Sequence, residues 1–128
     1  MKWRAVQGDG FSARLLFFVI DGCDGIAEIE AQWRDPTRQY AKHELHTIVE
    51  IDDSMVHKIV PHLRLMNAEY DCGMDDVGVK GLKVEIDGEV IDRKVHGAGA
   101  LVGSHPELRP FISFFMWLEE FVLSLRVM

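Results

Sequence analysis

Ile26-Ala27-Glu28-Ile29-Glu30-Ala31-Gln32-Trp33-Arg34 is the stretch that decides the fold. Ala27, Ile29, Ala31 and Trp33 alternate with Glu28, Glu30, Gln32 and Arg34. Successive side chains of a β-strand point to opposite faces, so this alternation makes a strand with one dry and one wet side. Such a strand belongs in an antiparallel sheet whose second face meets solvent.

Reading outward from it finds its neighbours. Asp35-Pro36-Thr37 turns the chain. From Gln39 to Ile51 the alternation resumes: Ala41, Leu45, Val49 and Ile51 share one parity, Lys42, Glu44, His46 and Glu50 the other. On the N-terminal side, Asp21-Gly22-Cys23-Asp24-Gly25 breaks the chain, and Phe11 to Ile20 reads as a strand rich in aromatic and β-branched residues. Gly8-Asp9-Gly10 is a turn signal after a short strand, Lys2 to Gln7. Further on, Leu82–Ile86 and Glu89–His96 form a predicted hairpin around Asp87-Gly88, a strong signal for a type I′ turn. In that register Val84 faces Ile91 towards the core, and Lys83 faces Asp92 towards water.

Two helices complete the pattern. Asp52-Asp53-Ser54 supplies acceptors for a helix N-terminus. Met55, Val56, Ile59, Val60, Leu63, Met66 and Tyr70 follow at helical spacing. Pro61 interrupts them, at a cost of about 3 kcal/mol inside a helix. The expectation is a helix kinked at Pro61; the alternative starts the helix there and gives residues 55–60 to the sheet. Gly97 to Gly103 reads as a glycine-rich loop, and Ser104-His105-Pro106-Glu107 has the spacing of a capping box. A long C-terminal helix follows to about Arg126, with Pro110 in its first turn. Arg109, Ser113, Glu120 and Ser124 form its narrow polar stripe, and nearly everything else on it is apolar. A helix of that kind is covered on several sides.

The predicted fold is therefore α+β: a mainly antiparallel, curved sheet of five or more strands, with a mid-chain helix and a long apolar C-terminal helix packed on it. Residues 1–128 read as a single domain, without repeat or linker.

Composition narrows the function classes. The 128 residues carry 21 acidic and 14 basic side chains, a net charge of −7, with 48% hydrophobic residues. That excludes disorder, a collagen-like repeat and a disulfide scaffold. A nucleic-acid partner is not expected, because a duplex demands a basic face. The apolar run Phe111–Leu118 has eight residues, against the roughly 20 a membrane span needs. No signal peptide is visible. The expected setting is cytoplasmic, with Cys23 and Cys72 as free thiols.

Several residue groups are candidate sites. His43 and His46 have opposite parity on a strand and point to opposite faces, so they do not share a metal. His57 and His62 are too far apart around a helix, while His96 and His105 flank the glycine loop. The loop 97–103 lacks phosphate-binding spacing and the lysine that would follow it. Glu69, Asp71, Asp75 and Asp76 form an acidic segment that does not match a calcium loop but suits a basic protein partner. Phe114, Trp117 and Phe121 on the last helix suit a ligand cavity or a homodimer interface. No cofactor, metal or catalytic residue is assigned.

The expected function is a non-enzymatic protein-binding module, an acidic inhibitor of the immunity-protein type that blocks a basic enzyme and gains association rate by electrostatic steering. One alternative is a binder of small apolar ligands between sheet and last helix. Another is a hydrolase or metal enzyme using His43, His96 or His105 with carboxylates.

Overall fold

A computed structural model of the chain describes residues 2–9, 16–35, 39, 41–74 and 78–125. The strands are β1 (Lys2–Asp9), β2 (Phe17–Cys23), β3 (Ile26–Asp35), β4 (Ala41–Glu50), β5 (Glu69–Asp71), β6 (Val79–Ile86) and β7 (Glu89–His96). The helices are α1 (Ser54–Leu65), α2 (Ala98–Leu101) and α3 (Leu108–Leu125). The strands form one open seven-stranded sheet in the order β4-β3-β2-β1-β6-β7-β5. All neighbours are antiparallel except β5 and β7. The architecture is α+β, as the alternation implies.

Two tight turns fix the registers. Asp24-Gly25 joins β2 to β3 with φ of 49° and 83°, and Asp87-Gly88 joins β6 to β7 with 51° and 80°. Two successive positive φ values make type I′ turns, whose twist matches that of the strands. Val84 pairs with Ile91 and Lys83 with Asp92, the register the hairpin predicts. Gly22 lies opposite Trp3. A β-carbon there would overlap the Trp3 indole, so a bare backbone is what lets Trp3 lie flat on β2.

One sheet face is covered. Ala27, Ile29 and Ala31 of β3 are buried beside Phe18 and Ile20 of β2, Trp3 and Ala5 of β1, and Leu82 and Val84 of β6. From the helices, Val56, Ile59, Val60 and Leu63 of α1 and Phe111, Phe115, Leu118 and Val122 of α3 join the same buried cluster. Among the described residues Gln7 is the buried polar exception: its Nε2 donates to the Phe115 carbonyl at 3.0 Å and ties β1 to α3.

Residues 55–60 are helical, and Pro61 lies inside α1. The bond that Pro61 cannot donate would have gone to the carbonyl of His57, an exposed residue that water reaches. The buried positions of α1 hold the helix in place regardless. At its start Asp52 Oδ1 accepts from the Ser54 amide at 3.0 Å and the Ser54 hydroxyl at 2.6 Å. These bonds hold the Asp52 carboxyl below the usual range, the hydroxyl contributing most. Asp53 is used differently: its carboxylate accepts from Trp3 Nε1 at 2.7 Å and from the Gly25 amide. One side chain thus joins β1, the β2–β3 turn and α1. At the other end of α1, Arg64 forks onto Glu89, both Nε contacts measuring 3.1 Å, and Arg93 Nε donates to the Leu63 carbonyl at 2.8 Å.

Several local expectations differ from the structure. Tyr70, read as the last position of the mid-chain helix, lies on β5, and α1 ends at Leu65. β6 starts at Val79 rather than Leu82, and Gly8 and Asp9, read as part of a turn, extend β1. The glycine-rich segment contains the short helix α2, entered through Gly97 at φ 75°. The capping box does not form, because α3 begins at Leu108. Ser104 Oγ donates instead to the Leu101 carbonyl at 3.2 Å, and Glu107 accepts from the Tyr70 hydroxyl at 3.2 Å. The predicted strand Phe11–Ile20 is described only from Leu16, because residues 11–15 lie outside the described residues. Among the described residues no helix is long and apolar enough to cross a membrane.

Candidate protein-docking face

Both α1 and α3 pack on one side of the sheet, and among the described residues no element covers the other side. The alternation that buries Ala27, Ile29 and Ala31 sends Glu28, Glu30 and Gln32 to that open side, all exposed. From β4 come Lys42, Glu44, His46, Ile48 and Glu50, and from β2 come Phe17, Val19 and Asp21. Register sets who meets whom: Val19 pairs with Glu30, Glu30 with His46, Phe17 with Gln32, and Gln32 with Glu44.

His46 Nε2 lies 3.2 Å from Glu28 Oε1 and 3.9 Å from Glu30 Oε1. Two of this trio, Glu30 and His46, line a groove of about 480 Å³ together with Phe17, Val19, Ala31, Gln32, Glu44 and Leu45. Its outward-facing apolar residues, Phe17 and Val19, come from β2 and its carboxylates from β3 and β4. Apolar side chains elsewhere on the open face are also uncovered: Ile26 is 54% and Ile48 66% exposed. The charge is uneven. Outward carboxylates on β2–β4 are Asp21, Glu28, Glu30, Glu44 and Glu50, against Arg34 and Lys42 at one end. Lys42 Nζ sits 3.1 Å from Glu44, and Arg4 of β1 sits 3.6 Å from Asp21.

Such a groove suits a side chain with an apolar stem and a cationic head. A lysine or arginine can lay its methylenes along Phe17 and Val19 and place its charge among Glu30 and Glu44. The donor atoms of Glu28, Glu30 and His46 also lie within 4.8 Å of one another. They are the described residues best placed to hold a cation, although all three are exposed.

The acidic segment singled out from sequence sits elsewhere. Glu69 and Asp71 lie on β5, at the opposite edge of the sheet from β4. Glu69 Oε1 is 3.0 Å from His96 Nε2, a distance that makes an ion pair when the ring is protonated but is off-line for a hydrogen bond. Asp71 Oδ1 accepts from the Gly73 amide at 2.8 Å and shapes its own turn. Asp75 and Asp76 lie outside the described residues.

On α3, Phe114 is buried, and Trp117 and Phe121 are half-buried against the core. Their rings form a ladder with centroid spacings of 5.8 and 6.1 Å. His43 and His46 do point to opposite faces. His43 is half-buried and stacks on Trp33 at 5.5 Å. His105 meets the edge of the Tyr70 ring, and its Nδ1 lies 3.0 Å from Ser104 Oγ. That hydroxyl and that ring nitrogen both also approach the Leu101 carbonyl, at the turn that ends α2. Cys23 and Cys72 are free thiols.

Sequence reasoning missed the grouping of Glu28, Glu30 and His46 with Phe17 and Val19. The outward parity of the β3 and β4 residues was legible, but which ones become neighbours depends on register, and the β3–β4 turn does not declare it. The chain matches no protein-family model, and a search of curated proteins found no match.

Proposed function

We propose that the protein is a non-enzymatic protein-binding module that docks a basic protein through the open face of β2–β4, in the manner of an acidic inhibitor. The observation that carries this reading is the groove, which combines the apolar floor of Phe17 and Val19 with the carboxylates of Glu30 and Glu44. The net charge of −7 supplies steering, and the exposed Ile26 and Ile48 supply apolar area around the charged centre. A cytoplasmic setting with both cysteines as thiols goes with this reading.

The test uses a fluorescent nona-arginine peptide as a defined basic probe, titrated at low salt. The Glu30→Gln/Glu44→Gln double variant is expected to bind about tenfold more weakly, as two partly desolvated ion pairs are lost. Glu69→Gln/Asp71→Asn is expected to stay within about twofold of the parent, because exposed charges away from an interface contribute little. If the second variant is the one that loses binding, docking belongs to the segment at β5 and this assignment is wrong.

A further inference from the structure

The two edges of the sheet are built differently. The β5 edge is three residues long. The β4 edge is ten residues long, about twice an average strand. Natural sheets blunt a free edge with short strands, proline, bulges or charged side chains. Of these β4 has only charges, Lys42, Glu44 and Glu50, all on its outward face. Its ladder with β3 runs through ten consecutive pairs without a bulge. It holds no proline, and its lysine, Lys42, stands near one end. Among the described residues β3 is its sole sheet partner. On the covered side of the sheet, His43, Leu45, Thr47 and Val49 are each only half-buried. A strand laid alongside would give each of them a cross-strand neighbour.

We propose that this edge pairs with the same edge of a second copy of the chain, antiparallel, about a two-fold axis through His46 normal to the sheet. Directly paired residues of an antiparallel ladder point to the same face. To keep the helices of both copies on one side, inward residues must meet inward ones, so only registers that pair equal parity are open. Charge then selects among them. Centring on Thr47 sets Glu44 against Glu50, and centring on Glu44 sets that carboxylate against its own copy; both are repulsive. Centring on Leu45 avoids like charges but leaves Lys42 opposite Ile48. Centring on His46 places Lys42 opposite Glu50 at both ends, with Glu44 opposite Ile48 between them and His46 opposite its own copy on the axis. On the inner face it pairs His43 with Val49 and Leu45 with Thr47. The sequence of β4 is therefore complementary to itself, which a foreign strand need not be. The pairing shares Glu44 and His46 with the outer groove, but the Lys42 and Glu50 charge pairs that select it lie outside that groove's lining.

Sedimentation velocity on the full chain tests this. The expected result is twice the chain mass at about 100 μM, in the range of a weak, edge-only contact. Lys42→Glu and Glu50→Lys, both at exposed positions, are each expected to raise the dimer dissociation constant about tenfold, because symmetry places like charges opposite each other twice. The double variant Lys42→Glu/Glu50→Lys restores the opposite-charge pairs and is expected to return within about threefold of the parent. Circular dichroism confirms that each variant keeps its sheet. A monomeric mass at that concentration overturns the proposal, as does a dimer indifferent to the single changes or one the double variant does not recover.

Discussion

At the residue scale, Asp53 carries more of the structure than its place at a helix start suggests. Its carboxylate accepts from Trp3 Nε1, 50 positions away in sequence, and from the Gly25 amide in the β2–β3 turn. Removing an acceptor from part-buried donors costs about 1–3 kcal/mol. Asp53→Ala is therefore expected to lose about 2 kcal/mol in urea unfolding. Asp53→Asn keeps a single carbonyl acceptor and is expected to fall between it and the parent. Equal stability of all three proteins would show that the clasp contributes nothing. The sequence marked Asp52-Asp53-Ser54 as a helix start, and Asp52 does serve Ser54. It did not mark the division of labour, because the donors that claim Asp53 arrive only when β1 and the turn come together. Gln7 is similar: it shares the inward parity of Trp3 and Ala5 on β1, but its partner is a carbonyl of α3.

At the element scale, what could be read was periodic and what could not was local competition. β3 and the β6–β7 hairpin follow from alternation and an Asp-Gly turn; the hairpin register agrees with the structure, while β6 starts at Val79, ahead of the expected Leu82. α1 was readable through Pro61 because its buried face is strong. α2 was not, since glycine has poor helix propensity and tertiary context decides such a short turn. The capping-box spacing at Ser104 misled because Glu107 has a better donor in the Tyr70 hydroxyl. The tie between α1 and β7 yields a pH prediction. Arg64 holds the Glu89 carboxyl below its usual range, chiefly by hydrogen bonding. A depressed folded pKa gives stability that is present above the unfolded value near 4.3 and is lost as pH falls through the folded one. Asp52 acts in the same direction. Urea midpoints are therefore expected to drop as pH falls from 5 into the acid range, and Glu89→Gln is expected to flatten part of that slope. An unchanged slope in the variant would mean the Arg64 fork is not kept in solution. The effect is small, because both partners are exposed.

At the scale of the whole molecule, the sheet divides the chemistry into a covered apolar face and an open one that is acidic towards β4. The total of −7 was plain from composition, and the acidic segment after α1 was its most visible concentration. The structure shows a second concentration, assembled from carboxylates that stand alone among apolar neighbours along β3 and β4. Only the strand order brings Glu28, Glu30, Glu44 and His46 beside Phe17 and Val19. Backbone amide shift mapping with the nona-arginine peptide addresses this claim most directly. Perturbations are expected only at the outward residues of β2, β3 and β4, led by Val19, Glu30, Gln32 and Glu44, and they fade as salt is raised past the point where exposed charges are screened. Perturbations centred on residues 69–74, or spread evenly over every exposed carboxylate, would contradict it.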